Sequence, residues 1–211
     1  MRPGPAIRRL FGPLEAPVTD LYRAFFVNLG EQVRQLRQWA PAAAEILEIG
    51  CGEGAVCRLL LREFPAARVT GIDVTPRVGR LFRGDASRVR FACATTAELA
   101  EERPAAFDLV LACDVLHHVP WPEHTSLLRD AARLLAPGGA LVVKDWEPIP
   151  NLGHRLCELS DRYLTGDDVR YGWCGHFAGL LESVLGAGSV RDQVRVRPWP
   201  NNFMILARPA A

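Results

Sequence analysis

The sequence predicts an α/β fold with a mostly parallel, seven-stranded sheet and helices on both faces of that sheet. Three observations predict it. β-rich runs alternate with helical patterns from residue 45 onward, the connections between them are short, and a triple-glycine turn joins the first strand to its helix. Alternation through short turns favours parallel pairing, because each helix carries the chain back to the same edge of the sheet.

Residues 1–40 precede this alternation and predict an N-terminal arm followed by a capping helix. The first 17 residues contain four prolines and two glycines, which indicates an irregular arm. A helix is predicted over 18–39, where apolar residues recur at spacings of three and four. These residues are Leu21, Phe25, Leu29, Val33 and Leu36. Residues 41–211 are then expected to form a single domain, since about 100–200 residues is the usual size of one.

The elements of that domain follow in order. Strands are predicted at 45–50, 67–73, 88–93, 107–113 and 139–145, and helices at 54–63, 76–83, 96–102 and 122–136. A segment at about 146–176, rich in glycine, proline, aromatic and ionisable residues, predicts a loop-like substrate-recognition insertion. A helix at 176–186 precedes two strand-like runs, 190–196 and 203–207, whose short connection predicts an antiparallel hairpin.

Composition and charge argue against several classes of function. A net charge of +1 predicts no nucleic-acid partner, for which a domain pI above about 9 is typical. No run approaches the ~18 consecutive apolar residues of a membrane helix, and the N-terminus lacks the apolar stretch of a secretory signal. Six cysteines without a Cys-x-x-Cys pair predict thiols rather than disulfides. We therefore expect a cytoplasmic monomer or homodimer without a membrane partner. Lys144 is the only lysine among 25 lysines and arginines, which we interpret as coding bias.

The turn over residues 48–54 reads E-I-G-C-G-E-G and predicts a ligand-binding loop. Its glycines let backbone N–H groups approach a ligand with no Cβ in the way. Asp73 comes 23 residues after Gly50, at the end of the next strand, where a carboxylate can accept from two ribose hydroxyls. A dinucleotide is a rival ligand, because Gly50-x-Gly52-x-x-Ala55 also fits the dinucleotide fingerprint.

Two further motifs follow in order, D-V-L-H-H-V at 114–119 after the fourth strand and L-A-P-G-G-A-L at 135–141 before the fifth. Together with the glycine turn and Asp73, this set resembles the class I S-adenosylmethionine-dependent methyltransferases. More narrowly, it resembles the branch that acts on small molecules. The resemblance implies a Rossmann-like sheet with a reversed last strand. It also implies S-adenosyl-L-methionine as cofactor and S-adenosyl-L-homocysteine as product.

The resemblance assigns cofactor contacts as well. Glu48 would organise the loop around the methionine end of the cofactor, and Asp73 would hold the ribose. After the third strand the family has an acidic residue that contacts the adenine amino group. Thr95 stands there instead, and its hydroxyl either accepts one hydrogen bond from adenine or caps the next helix. The predicted cofactor contacts are Glu48, Gly50, Cys51, Gly52, Asp73, Val74, Thr95, Thr96 and Cys113.

Catalysis is assigned to His117, His118 and Asp145, which follow the fourth and fifth strands at the edge where open α/β sheets bind ligands. A histidine there suits a general base near neutral pH. Asp114 with Asp145 raises the alternative of a metal-dependent O-methyltransferase. Trp146 stands where that subfamily has an amide, so no metal is expected. The predicted acceptor contacts are Tyr22, Asp114, His118, Trp146, His154, Tyr163, Tyr171, Trp173 and His176.

The predicted function is methyl transfer to an oxygen, nitrogen or activated carbon of a small molecule in secondary metabolism. Two alternatives stay open. One is a cyclase or isomerase on the same scaffold, in which S-adenosylmethionine acts only as a charged or structural group. The other is a non-catalytic partner subunit that keeps the fold.

Overall fold

The computed structural model describes residues 24–160 and 169–210, and its seven-stranded sheet confirms the predicted fold class. The strands are β1 Glu45–Ile49, β2 Arg68–Asp73, β3 Val89–Cys93, β4 Phe107–Cys113, β5 Leu135–Trp146, β6 Val190–Arg195 and β7 Asn202–Ala207. The helices are α1 Leu29–Trp39, α2 Ala55–Glu63, α3 Thr96–Glu102, α4 Trp121–Arg133, α5 Leu152–Ser160 and α6 Cys174–Leu185, and short 3-10 turns lie at Ala86–Arg88 and Leu116–His118. None of the described helices is long and apolar enough to cross a membrane.

The strand order places a crevice at the carboxyl ends of β1 and β4. The sheet runs β3-β2-β1-β4-β5-β7-β6, with β1 to β5 parallel and β7 antiparallel to both of its neighbours. The chain moves outward from β1 to β3 on one side and from β4 to β5 on the other. Ligands of open α/β sheets bind at such a reversal of strand order. The reversed β7 confirms the predicted terminal hairpin.

Each face of the sheet packs against its own helices, because alternate side chains of a strand point to opposite faces. On one face Ile46 joins a core cluster with Leu36 of α1 and Leu60 of α2. On the other face Leu47 joins a cluster with Leu128 of α4. Burial on both faces explains why β4 is almost entirely apolar, as central parallel strands are.

The segment at 76–83 forms turns, so its predicted helix is wrong. Gly79 has φ +67°, and a Cβ there would lie 2.5 Å from the ring of Phe91, so the backbone passes directly against that ring. The N–H of Gly79 donates to the carbonyl of Gly52 at 2.9 Å. The segment therefore supports the glycine turn, and tertiary contact overrides its helical pattern.

The helix predicted over 18–39 is also interrupted where the structure describes it. Val27 and Asn28 are not helical. The Asn28 side chain accepts from the N–H of Glu31 and starts α1 at Leu29, as asparagine at an N-cap does. The Leu21 end of the predicted helix lies outside the described residues.

The segment predicted as a loop-like insertion at about 146–176 contains regular structure. Residues 152–160 form α5, which the high glycine and proline content of the segment concealed. β5 also begins earlier than predicted, at Leu135, because the ladder with β4 continues through an irregularity in register.

Candidate active site

The glycine turn after β1 leaves open space at the crevice. Gly50 and Gly52 have φ of +68° and +49°. A Cβ on Gly50 would lie 2.4 Å from Cγ2 of Val115, so this turn touches the turn that follows β4. A Cβ on Gly52 would meet nothing within 4 Å. The open side of Gly52 fits a ligand approached closely by the backbone.

Asp73 ties the glycine turn to the end of β2. Its Oδ2 accepts from the N–H of Gly52 at 2.8 Å, and its Oδ1 accepts from the N–H of Thr75 at 2.9 Å. A carboxylate offers about four lone-pair sites, so both oxygens retain capacity for further donors. Val74 follows with its side chain largely exposed. Asp73 therefore joins the glycine turn to the turn after β2 and retains acceptor capacity.

Thr95 caps α3, which is one of the two roles that the sequence left open for its hydroxyl. Its hydroxyl donates to Glu98 Oε2 at 2.8 Å and accepts from the N–H of Glu98 at 3.2 Å, while the same carboxylate accepts from the N–H of Thr95. This reciprocal arrangement is a capping box, which engages the hydroxyl as both donor and acceptor. Thr96 beside it is buried.

A buried polar cluster lies behind the glycine turn. The Cys57 thiol donates to Glu48 Oε2 at 2.8 Å, and Gln32 Nε2 donates to Cys113 Sγ at 3.2 Å. The pKa of Cys57 is raised by its hydrogen bond with Cys51, then by burial and by the charge of Glu48. Burial, followed by the charge of Glu48, raises the pKa of Cys113. Cys57 and Cys113 therefore stay protonated, which argues against either as a nucleophile.

Gln32 is a residue that sequence reasoning missed. It lies on α1 and is completely buried, three residues after Leu29 and beside Val33. The available signal was a glutamine on the apolar stripe of an amphipathic helix, where a polar side chain needs a buried partner.

His117 and Asp145 form a buried pair at the carboxyl ends of β4 and β5. His117 Nδ1 lies 2.5 Å from Asp145 Oδ1, and Asp145 is fully buried. Burial alone would raise the pKa of Asp145, but the charge and hydrogen bond of His117 outweigh it and lower that pKa. A carboxylate on Nδ1 selects the tautomer in which Nε2 is the basic nitrogen.

A histidine of α4 holds the turn that carries His117. His124 is buried there, and its Nε2 lies 2.8 Å from the carbonyl oxygen of Leu116 and 3.0 Å from that of Val119. A single ring nitrogen thus contacts both ends of the turn, which fixes the backbone on either side of His117.

Lys144 and Asp114 form a second pair next to the first. Lys144 Nζ lies 2.5 and 2.7 Å from the two carboxylate oxygens of Asp114. Asp114, His117 and Asp145 each place a potential metal ligand within 4.8 Å of the others. Both carboxylates already face a cationic or N–H partner, however, so a divalent cation would have to displace Lys144 from Asp114. The donor set is thus a poor fit for Mg²⁺, which needs several oxygen ligands in octahedral geometry.

Four predicted residues come together beside the His117 ring. Tyr171 stacks on His117 with ring centroids 5.5 Å apart, and the ring of His154 meets Tyr171 edge-on at 5.1 Å. Trp146 Nε1 donates to His154 Nδ1 at 3.1 Å. His118 is exposed, with its ring 4.1 Å from that of His117. We call Trp146, His154 and Tyr171 the aromatic wall.

Two predicted acceptor contacts do not join this wall. His176 stacks on Trp121 of α4 at 4.7 Å, and burial followed by the charge of His124 lowers the pKa of His176. Trp173 is more than half exposed at the start of α6. Tyr22 and Tyr163 lie outside the described residues.

Comparison with known proteins gives a family match and sequence relatives. Residues 46–139 match a family model described as a methyltransferase domain. Trans-aconitate 2-methyltransferase of Methylobacterium nodulans is 37% identical over 115 residues. Ubiquinone biosynthesis O-methyltransferase of Xanthomonas oryzae pv. oryzae is 36% identical over 113 residues. These matches cover 54% and 52% of this chain, and 43% and 46% of the two relatives, so the chain spans less than half their length.

Solved structures share the fold. The 1,6-didemethyltoxoflavin-N1-methyltransferase of Burkholderia thailandensis, with bound 1,6-didemethyltoxoflavin and S-adenosylhomocysteine, superposes with a TM-score of 0.69 and 21% identity. The match covers 97% of this chain and 88% of that one. A TehB-like SAM-dependent methyltransferase of Corynebacterium glutamicum has a TM-score of 0.67 and 18% identity, covering 98% of this chain and all of that one.

Proposed function

The chain is a member of the class I S-adenosylmethionine-dependent methyltransferase family, and we propose that it methylates a small molecule at an atom that gives up a proton. That atom is an oxygen, a nitrogen or an activated carbon. The buried contact between His117 and Asp145 carries this proposal, because it supplies an oriented base beside the crevice.

The glycine turn and Asp73 would hold the cofactor. The open side of Gly52 and the remaining acceptor capacity of Asp73 fit an adenosyl group. When bound, S-adenosyl-L-methionine supplies an electrophilic sulfonium methyl group and leaves as S-adenosyl-L-homocysteine. The contribution of the protein is mainly position, since holding two reacting atoms in line at roughly 3–3.5 Å can supply about 7–11 kcal/mol.

His117 would take the proton of the acceptor at Nε2. Asp145 holds the ring in the required tautomer and stabilises the imidazolium that forms, as a buried carboxylate behind a catalytic histidine does. The backbone N–H of His117 also donates to Asp145 Oδ2 at 3.3 Å, so ring and backbone are fixed by the same carboxylate.

The aromatic wall supports a planar or cyclic acceptor. Trp146 contacts His154, His154 contacts Tyr171, and Tyr171 stacks on His117, so this row of rings would exclude water from one side of the base. The arm and capping helix over 1–40 and the insertion at about 146–176 would cover the acceptor. Relatives named for trans-aconitate and for ubiquinone biosynthesis act on different acceptors. We propose a role in secondary metabolism, in the cytoplasm, for a monomer or homodimer.

An incubation assay tests the proposal. Purified protein is mixed with methyl-labelled S-adenosyl-L-methionine and a panel of phenols, amines and carboxylic acids, together with a host-cell metabolite extract. The expected result is a labelled product with one added methyl group, read by mass spectrometry. His117→Asn should lower kcat by about 10²–10⁴ with unchanged affinity for S-adenosyl-L-homocysteine. A product of unchanged mass would indicate a cyclase or isomerase instead. A rise in melting temperature with NAD, but not with S-adenosyl-L-methionine or S-adenosyl-L-homocysteine, would overturn the cofactor assignment.

A further inference from the structure

Three buried side-chain polar atoms have no hydrogen-bond partner in the described part of the chain, and one of them, Oε1 of Gln32, belongs to the side chain that contacts Cys113 at the end of β4. The side chain is fully buried, and its Nε2 is engaged with Cys113 Sγ at 3.2 Å. Its Oε1 is buried and unpaired. A buried carbonyl oxygen without a donor has lost its hydrogen bonds to water and gained none in the protein, which costs free energy. A hydrogen bond from a ligand donor would recover that cost.

The amide lies beside the first glycine of the turn. Ile49 of β1 is paired with Ala112 of β4, so one step further along the ladder Cys113 stands next to Gly50. Gln32 contacts the side chain of that Cys113. Its helix is anchored, since Val33 and Leu36 of α1 belong to the core cluster of that face. The amide that carries the unpaired oxygen is therefore held beside Cys113, where β1 and β4 end.

The layout of the crevice identifies which part of a cofactor reaches this point. If Asp73 at the end of β2 holds the ribose, the sulfonium must lie further along the edge, within reach of the turn that carries His117 after β4. The amino-acid end of a bound cofactor would then extend from the same sulfur toward Gly50 and Cys113, where β1 and β4 end. That end carries one strong donor, the α-ammonium group.

Electrostatics at the same place favour a cation. Glu48 is buried two residues before Gly50, and its charge raises the pKa of Cys113, which Gln32 contacts. A negative field that reaches Cys113 stabilises an ammonium group and opposes a carboxylate beside it.

We propose that Gln32 Oε1 accepts a hydrogen bond from the α-ammonium group of the cofactor, so that α1 forms one wall of the cofactor site. This deepens the proposed function and rests on it. Gln32 becomes a cofactor-binding residue that recognises the amino-acid end rather than the nucleoside.

The test compares two ligands by calorimetry, S-adenosyl-L-homocysteine and 5′-methylthioadenosine, which lacks the amino-acid end. Gln32→Met keeps the length of the side chain and removes the amide. The substitution should weaken the binding of S-adenosyl-L-homocysteine about 10-fold or more, as the loss of a hydrogen bond to a charged group does. The affinity for 5′-methylthioadenosine should stay within about twofold of wild type. Gln38→Met, on the exposed face of the same helix, is the matched control and should change neither affinity.

The possible outcomes distinguish failure of the Gln32 proposal from failure of the proposed function. Equal losses for both ligands, or no loss for either, would overturn the role of Gln32. Failure of wild-type protein to bind S-adenosyl-L-homocysteine would instead overturn the proposed function. If Gln32→Met shows no cooperative thermal transition, the comparison is made with Gln32→Asn, whose shorter side chain should give the same selective loss. An S-adenosyl-L-homocysteine analogue that lacks the α-amino group should bind to wild type and to Gln32→Asn with equal affinity.

Discussion

Lys144 Nζ contacts both carboxylate oxygens of Asp114, at 2.5 and 2.7 Å, from a position where only 1% of the lysine side chain is exposed. Asp114 has φ +55°, a left-handed conformation that aspartate tolerates better than most residues, and its side chain is 39% exposed at the crevice. The ammonium group therefore fixes a partly exposed aspartate at the carboxyl end of β4. Coding bias explains the preference for arginine over lysine, and Lys144 is the one exception in a chain with 24 arginines.

Replacing Lys144 tests whether this position requires an ammonium group. Lys144→Arg should lower the free energy of unfolding by about 2 kcal/mol or more, because a larger planar group with five donors must enter a packed site. Lys144→Met should be milder, since Asp114 can reach water. Chemical denaturation measures both. Arg62→Lys, on the exposed side of α2, is the control and should stay within about 0.5 kcal/mol of wild type. An unaffected Lys144→Arg variant would contradict this account.

Asp145→Asn should reduce stability in a pH-dependent way. The pKa of Asp145 lies below its ordinary value, so its contribution is complete above the unfolded-state pKa and is lost as the pH falls through the lowered one. The variant should lose about 3 kcal/mol near pH 7, as broken buried pairs do, and the difference from wild type should shrink in acid. Denaturation at a series of pH values measures this. Asp130→Asn breaks only a surface pair with Arg133 and should give a small difference at every pH. A constant difference for Asp145→Asn would argue against an Asp145 carboxylate that is ionised in the folded protein.

Asp73→Ala should weaken S-adenosyl-L-methionine binding at least tenfold, because it removes both the proposed ribose acceptor and the anchor of the Gly52 N–H. Calorimetry measures the affinity. Asp85 also accepts from a backbone N–H two residues on, at 3.0 Å, but it lies in the loop before β3. Asp85→Ala therefore controls for loss of a turn and should leave the affinity unchanged. Full affinity in Asp73→Ala would remove the ribose assignment.

Chelation should leave methyl transfer intact. Asp114 and Asp145 are engaged by Lys144 and His117, so we expect EDTA to leave the initial rate within about twofold and Mg²⁺ to leave the melting temperature unchanged. Loss of activity in EDTA that Mg²⁺ restores would establish the metal-dependent alternative.

Most of the fold was predictable because its signals are local. The bounds of β4 and α3 were predicted correctly, since β4 is a continuous apolar run bounded by turns and α3 begins at a threonine cap. The helix predicted at 76–83 failed for a tertiary reason. Its backbone lies against Phe91 and the glycine turn, and no local pattern records that contact.

The sequence predicted which residues lie near the candidate site, but not which of them contact each other. His117 and Asp145 were both expected at the edge of the sheet, but their contact joins residues 28 positions apart, one in the turn after β4 and the other at the end of β5. The contact of Gln32 with Cys113 spans 81 positions and depends on how α1 packs. The sequence left two roles open for Thr95, and the capping role became visible only from the position of the Glu98 carboxylate.

The contact between Gly50 and Val115 limits how this enzyme could be re-engineered. Because a single methyl group on Gly50 would collide with Val115, the glycine turn after β1 and the turn after β4 meet with no spare room. A chimera that imports a new 114–119 turn from another scaffold would have to import its matching 48–54 turn too. Exchanges meant to alter acceptor choice are better confined to the stretch beyond β5, which leaves that junction intact.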